Sequence, residues 1–435
     1  VIDREFTLPE RQFATRLLTR QSGLTSVGWV VSANDGLGLA LFEDANIQDP
    51  YPLYQRMLEQ GPIHRIGESE FFAVSSWEAV NEVATRCTDF SSNLTATMMY
   101  QAPDTVNAYE IAELGNPVHA IATADDPLHA IHRRALLPHL TAKRINSFEP
   151  FIADTANQLW AAHARDGRIE WMGAVANRLP AMIVARIIGI PDGDAETLFR
   201  WGCAATQMVE GLVTAEQMDG AVAAVVEMSG YISAQFEQTN ADHTDSLLGD
   251  LAAACARGEI DPIAAQIIMV TLFSAGGEST ASLIGSAAWI LARHPHIQQQ
   301  VREQPELFGA FLEEVLRYEP PFRGHYRHVL TDTELCGIRL TAGSRVLLLW
   351  GAANRDPVHF RNPDEFLLDR PTGKSHITFG KGTHFCVGAA LARLEATIVL
   401  RELLGWTTHI EATEQTRWQS SLLVRRLEQL HLTLT

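Results

Sequence analysis

The stretch "HITFGKGTHFCVGAALARLEA", residues 376–396, crowds three glycines around one cysteine and runs straight into an Ala- and Leu-rich helical pattern. A cysteine just ahead of an apolar helix lies near its N-terminus, where unpaired N–H groups and the positive dipole end favour thiolate over thiol. Gly380 and Gly382 permit positive φ and close backbone approach, and Gly388 leaves the first helical turn without a side chain. A flat, bulky partner can then lie against the backbone beside the sulfur of Cys386.

The ordinary alternative is a buried structural cysteine in a tight loop. That alternative leaves Phe379 and the fixed offsets of the glycines unexplained. One thiolate leaves zinc and iron–sulfur clusters short of ligands. Haem iron needs a single protein ligand and keeps its opposite face open. "FGKGTHFCVG" (379–388) resembles the haem-binding signature of the cytochrome P450 family, F-G-x-G-x-H-x-C-x-G, at every fixed position. The resemblance implies that Cys386 is the axial thiolate on haem b (iron protoporphyrin IX), that Phe379, Gly380 and Gly388 frame it, and that His384 reaches a haem propionate.

Other segments extend the resemblance over roughly residues 46–435, as one haem-thiolate domain, and leave 1–45 as an extension of undetermined packing. Glu314 and Arg317 in "FLEEVLRYEPP" share a helical face. Alone they read as a surface pair; by resemblance they are a buried structural ion pair, with Arg370 in "FLLDRP" as a third member. His129 and Arg133 in "HAIHRRAL", spaced i,i+4, and Arg327 in "HYRHVLTD" match propionate-binding positions. With His384 they bring four cationic or donor groups to two carboxylates.

The longest helical pattern runs from "DPIAAQ" to "ILARHP", with Asp261 as N-cap and Pro295 past its end. Some thirty residues at 1.5 Å each span ~45 Å, and apolar character nearly all round places the helix in the interior. Midway, "SAGGESTAS" (274–282) pairs Gly276 with Gly277, which weakens a helix unless packing or function requires it. A glycine-notched helix crossing is one explanation. The other is the family's oxygen-binding groove, A-G-x-[DE]-T-T, to which Ala275 and Gly276 contribute backbone space. Glu278 then falls on the acid and Ser279 on the alcohol that relay protons to dioxygen. The usual threonine is serine here, so either Ser279 or Thr280 holds the relay hydroxyl.

Composition narrows the partners. The 34 basic and 52 acidic side chains give a charge of −18, which argues against nucleic acid. Five scattered cysteines without a CxxC pair fit a reducing cytoplasm better than a disulfide framework. No apolar run is expected to reach the ~20 residues of a membrane span. Residues 91–124 read as irregular, 141–310 as mostly helical, and 322–372 as strand and turn.

The fold implied is the triangular, mainly α P450 architecture with a smaller β-rich region, and haem between the long helix and the cysteine loop. The reaction implied inserts one atom of O2 into a hydrophobic small molecule. Electrons come from a ferredoxin and its reductase, docking near Lys381 and Arg393. By family position, Met98, Met99, Tyr100, Phe322, His325 and the segment Ser421–Leu423, with Leu422, line the substrate pocket. Peroxide-driven or non-oxygenating haem-thiolate chemistry and a haem ligand sensor are the alternatives.

Overall fold

The computed structural model describes residues 36–102, 104–114, 117–190, 195–210, 215–238, 246–413 and 415–435. The first 35 residues of the expected extension therefore lie outside the described residues. Packing among the described residues begins at Leu37. Leu37, Leu41 and Phe42 are buried in a core cluster with Leu53, Met57, Leu347 and Leu423.

The long helix starts where Asp261 caps it, its carboxylate accepting from the N–H groups of Ile263 (2.8 Å) and Ala264 (3.2 Å). It runs Pro262–Leu272, opens into a wide turn over Phe273–Glu278, and resumes as Ser279–Arg293. The wide turn falls on the Gly276–Gly277 pair, a common place for such a bulge at functional sites. The first half packs Ile268, Met269 and Phe273 into one core cluster, and the second packs Leu283, Ile284, Ala287 and Leu291 into another.

This helix and the segment Gly382–Trp406 are long and apolar enough, by length and composition, to cross a membrane. The expectation that no apolar run reaches that length therefore fails. The cause for the long helix is its place in the core, which demands apolar residues on almost every face.

The β-rich part is a five-stranded sheet in the order Ile63–Arg65, Phe71–Val74, Arg345–Leu349, Gly324–Val329, Phe90–Ser91. Phe71–Val74 pairs in parallel with Arg345–Leu349, across some 270 residues of sequence. All four of its residues are buried, which its unbroken apolar run anticipates. Strand Gly324–Val329, with Phe322 just ahead of it, sets out His325 and Arg327 along one side of a cavity.

The described residues of 91–124 are more regular than the irregular stretch expected. Ala96–Gln101 and Thr105–Glu110 form an antiparallel hairpin with Met98 opposite Ala108. The two runs are rich in Thr, Val, Tyr and Met, and the polar breaks inside them mask the period of two. Tyr100 stacks on Phe42 at 4.3 Å, so the hairpin is held by the N-terminal segment.

Glu314 and Arg317 on the helix Phe308–Tyr318 form a two-point ion pair, both bonds 2.8 Å, with side-chain exposures of 1% and 0%. Arg370 adds a second guanidinium to the same carboxylate at 3.0 and 3.1 Å. Arg317 also donates to the carbonyls of Asn354, Pro363 and Glu365. Asn354 in turn bonds Ile377 and Thr378, at the threshold of the cysteine loop.

The C-terminal loop is tied down by further buried polar pairs. Arg425 meets Glu319 at 2.8 Å, and Ser421 donates to Glu210 at 2.5 Å. Burial raises the Glu210 carboxyl to about 7, against the opposing pull of Ser421, Arg426 and Arg323.

Two outcomes follow. Replacing Arg317 by Leu strands the Glu314 carboxylate beside a single guanidinium, and denaturant unfolding should show a loss of about 3–5 kcal/mol. Glu210 holds its proton in the folded chain to a higher pH than in the unfolded chain. Its contribution to stability is thus complete below the unfolded carboxyl range and declines as pH rises towards about 7. Glu210→Gln should flatten that decline, by a few kcal/mol at most, in unfolding curves measured between pH 4.5 and 7.5.

Candidate active site

A cavity of about 260 Å³ joins the wide turn of the long helix to the cysteine loop. Its walls are mainly apolar. Ala275, Gly276, Ser279 and Thr280 line it from the helix, and Phe379, Gly380, His384, Cys386 and Gly388 from the loop.

The loop is shaped by its own backbone. The N–H of Gly380 donates to the Ile377 carbonyl and that of Cys386 to the Phe379 carbonyl, both at 2.8 Å. Gly380 (φ +73°) and Gly382 (φ +67°) take the left-handed conformation. A Cβ on Gly382 would also meet the Ala84 carbonyl at 3.0 Å. At Gly388 a Cβ would meet only the Cys386 sulfur, at an ordinary 3.9 Å, so no protein atom forbids a side chain there.

The helix Ala389–Trp406 begins directly after Gly388. Burial is nevertheless the largest influence on Cys386 and pushes its thiol above the ordinary range. The N–H groups of Gly388 and Ala389, with Arg133 and Arg393, pull the other way without prevailing. The helix start therefore acts in the direction expected from sequence, against a larger effect of burial. A bound metal ion would deprotonate the thiol outright.

Beside the cysteine, His129 and His384 lie ring to ring at 4.0 Å, and Arg133 donates to the Phe385 carbonyl at 2.8 Å. Arg327 donates to its neighbour's carbonyl, Tyr326, at 2.7 Å. All four line the cavity. Burial, followed by Arg327 and His129, lowers His384 to about 3, and burial lowers His129 as well. The four groups are thus two cations and two neutral donors.

These features fit haem. Cys386 lies deep in the fold yet has accessible surface, because the surface faces the cavity. Glu395, also on the cavity wall, has a buried Oε2 with no partner among the described residues, and burial keeps its carboxyl well above the usual range. A thiol donor, two guanidiniums and two imidazoles around one apolar slot suit a flat metal-bearing dianion.

The proton-handling candidates divide. Ser279 donates its hydroxyl hydrogen to the Ala275 carbonyl within the wide turn. Glu278 is turned away from the cavity lining into a buried pocket of polar groups, 3.4 Å from the Arg426 guanidinium, and its Oε2 has no hydrogen-bond partner among the described residues, with the Cys203 thiol nearby. Arg426 also reaches the sulfur of Cys203 at 3.7 Å. The one sequence signal for this partner was a pair of arginines, Arg425–Arg426, closing an apolar run. Gly276 has a packing reason as well as a functional one: a Cβ there would strike Cγ2 of Val184 at 2.8 Å.

Of the substrate-lining candidates, Phe322 and His325 face the cavity. Met98 and Leu422 are instead buried in the N-terminal core cluster, Tyr100 packs against it, and Met99 is a half-buried hairpin residue outside the cavity lining. The hairpin draws these methionines away from the site. Ser421 is engaged by Glu210. Arg393 is committed to Glu313, at 2.6 and 2.9 Å, rather than free on the surface.

Comparison with known proteins places the chain. The family model described as Cytochrome P450 matches residues 216–405. Cytochrome P450 144 of Mycobacterium tuberculosis is 58% identical over 413 residues, covering 93% of this chain and 95% of that protein. Among solved structures, cytochrome P450 CREJ in complex with (4-ethylphenyl) dihydrogen phosphate aligns with a TM-score of 0.81 at 25% identity, over 91% of this chain and 99% of the other. P450BioI in complex with hexadec-9Z-enoic acid ligated acyl carrier protein aligns with a TM-score of 0.78 at 26% identity, over 90% and 100%. With haem b as cofactor and O2 as co-substrate, the chain belongs to the cytochrome P450 family of haem-thiolate monooxygenases.

Proposed function

We propose that this monooxygenase acts on a hydrophobic small molecule, inserting one oxygen atom into a C–H bond or across a C=C bond while the second leaves as water. A ferredoxin and its reductase supply the two electrons. The observation that carries the reading is the shared cavity, whose mainly apolar walls bring Cys386 and the hydroxyl-bearing wide turn of the long helix into one space.

Residues 46–435 act as one haem-thiolate unit in this reading, in the cytoplasm, where five free thiols are stable. Cys386 would ligate the iron, and Arg133, Arg327, His129 and His384, which line the same cavity, would hold the propionates. Bound haem supplies O2 activation, with thiolate donation favouring O–O cleavage. The chain's own residues position, exclude water and move protons. Ser279, having lent its hydrogen to the Ala275 carbonyl, offers lone pairs to the cavity and can hold a water in place. Thr280 is the second hydroxyl on that wall. Glu278 delivers protons by leaving Arg426, a weak 3.4 Å contact, and turning towards Ser279.

The electron donor docks on the cysteine side, around Lys381 and the exposed Arg134 on the helix Leu128–Leu136. Arg393 supports the loop from within through Glu313.

The deciding experiment supplies NAD(P)H, ferredoxin and reductase with labelled O2 and a panel of apolar compounds. Label in the product supports the reading, and turnover with peroxide alone overturns it. Glu278→Gln should slow product formation about 100-fold with substrate affinity unchanged. Whichever of Ser279→Ala and Thr280→Ala removes the relay hydroxyl should divert electrons to hydrogen peroxide, read as peroxide formed per NAD(P)H consumed. In Cys386→His, the reduced carbon monoxide complex should lose its far-red-shifted band and absorb like a histidine-ligated haem.

A further inference from the structure

We propose that Glu210 is a proton store: its neutral carboxyl passes the hydrogen on Oε2 to the Glu278 carboxylate, and Arg426 moves from Glu278 to the Glu210 carboxylate left behind. The inference rests on the reading of Glu278 as the acid that delivers protons.

Glu278 has to be loaded before it can deliver. A carboxylate paired with a guanidinium has no proton to give, and Glu278 lies 3.4 Å from Arg426. It is only 5% exposed, so the donor must share its buried pocket. Cys203 on the helix Ala195–Gln207 and Glu210 just past that helix's end face the pocket from one side. Ser421 and Arg426 enter from the C-terminal segment, and Tyr326 and Arg323 from in and just ahead of strand Gly324–Val329. Arg426 touches Glu278 through Nε alone, while its Nη2 reaches the Cys203 sulfur at 3.7 Å.

Hydrogen bonding assigns the proton on Glu210. Oγ of Ser421 accepts from the N–H groups of Leu423 (3.1 Å) and Val424 (2.8 Å), so its own hydrogen goes to Oε1 of Glu210, at 2.5 Å. Oε1 is thus an acceptor, and the hydrogen of the neutral carboxyl resides on Oε2. Arg323 is occupied by the carbonyls of Ile47 and Val424, which leaves Arg426 as the cation acting on both carboxyls. Two buried carboxyls served by one guanidinium retain one proton between them. Burial, with Glu278 adding to it, raises Glu210 to about 7 against the pull of Ser421, Arg426 and Arg323. Burial also pushes the Cys203 thiol and the Tyr326 hydroxyl above their ordinary, already higher ranges, so neither competes as donor.

The transfer balances within the pocket. The O–H bond at Oε2 of Glu210 breaks, an O–H bond forms on Glu278, and the negative charge passes from residue 278 to residue 210. Arg426 follows that charge, and the neutral Glu278 is released to turn towards Ser279. The store is full below about pH 7 and empties above it.

The test uses the holoprotein. In the infrared, the C=O stretch of a protonated carboxyl should fade as pH rises from 6 to 8. The fading band should be absent from Glu210→Gln and should persist in Glu278→Gln, shifted to lower pH. With ferredoxin and reductase and no added substrate, NAD(P)H oxidation to hydrogen peroxide consumes two protons per O2, and its rate should fall about tenfold between pH 6 and pH 8. Glu210→Gln should be slow and flat over that range, and Glu210→Asp should keep the fall. Ser421→Ala removes a bond that favours the ionised carboxyl and should move the fall to higher pH. It stands in if haem content and the reduced carbon monoxide spectrum show that Glu210→Gln does not assemble.

A fading band or a falling rate that survives in Glu210→Gln, or an unmoved fall in Ser421→Ala, overturns the inference. So does a wild-type rate that is flat over this range. If Glu278→Gln matches the wild-type rate at every pH, the reading of Glu278 as the delivering acid fails, and the inference falls with it.

Discussion

The ionised carboxylate of Glu314, buried to 1% side-chain exposure, is the constraint from which the rest of the site is hung. Two guanidiniums and the N–H of Leu367 must reach it, and each arrives from a different distance along the chain. Satisfying that one charge pins the 354–370 segment to the helix Phe308–Tyr318. Through Asn354 it fixes the residues that enter the cysteine loop. The pair lies outside the cavity and touches no reacting group, yet the position of Cys386 depends on it. Such a pair is costly to break and contributes little net stability when intact, so its effect is on geometry.

A second theme is how much of the site's polarity the protein leaves unresolved. Burial pushes the Cys386 thiol and the Glu395 carboxyl up and the imidazoles of His129, His325 and His384 down, in each case towards the neutral form. Arg133 and Arg327 stand as cations among these groups. The fold thus prepares a low-dielectric slot with a few fixed donors, an arrangement in which each electrostatic contact counts for more than it would in water.

Much of this was legible in the sequence where chemistry demanded rare residues at set spacings. The cysteine loop, the Glu314–Arg317 pair and the Gly276–Gly277 notch each departed from what an ordinary helix or loop would carry. What escaped notice depends on residues distant in sequence. Arg426 meets Glu278 across nearly 150 residues, and Trp350 meets His325 across a strand pairing that no local pattern reveals. The hairpin at Ala96–Glu110 was missed because its apolar residues serve the N-terminal segment rather than the cavity. The helix dipole at Cys386 was read correctly in direction, but sequence gives no measure of the burial that opposes it.

The notch at Gly276 has one more implication. Because Val184 fills the space a side chain at 276 would take, the roof of the cavity is a joint between two helices rather than a property of either. Any lineage of this enzyme that gains a methyl at 276 must shrink residue 184 or slide the helix Arg178–Ile188 outward. The two positions should drift as a pair, and a change of substrate size during evolution can begin in a residue that no ligand touches.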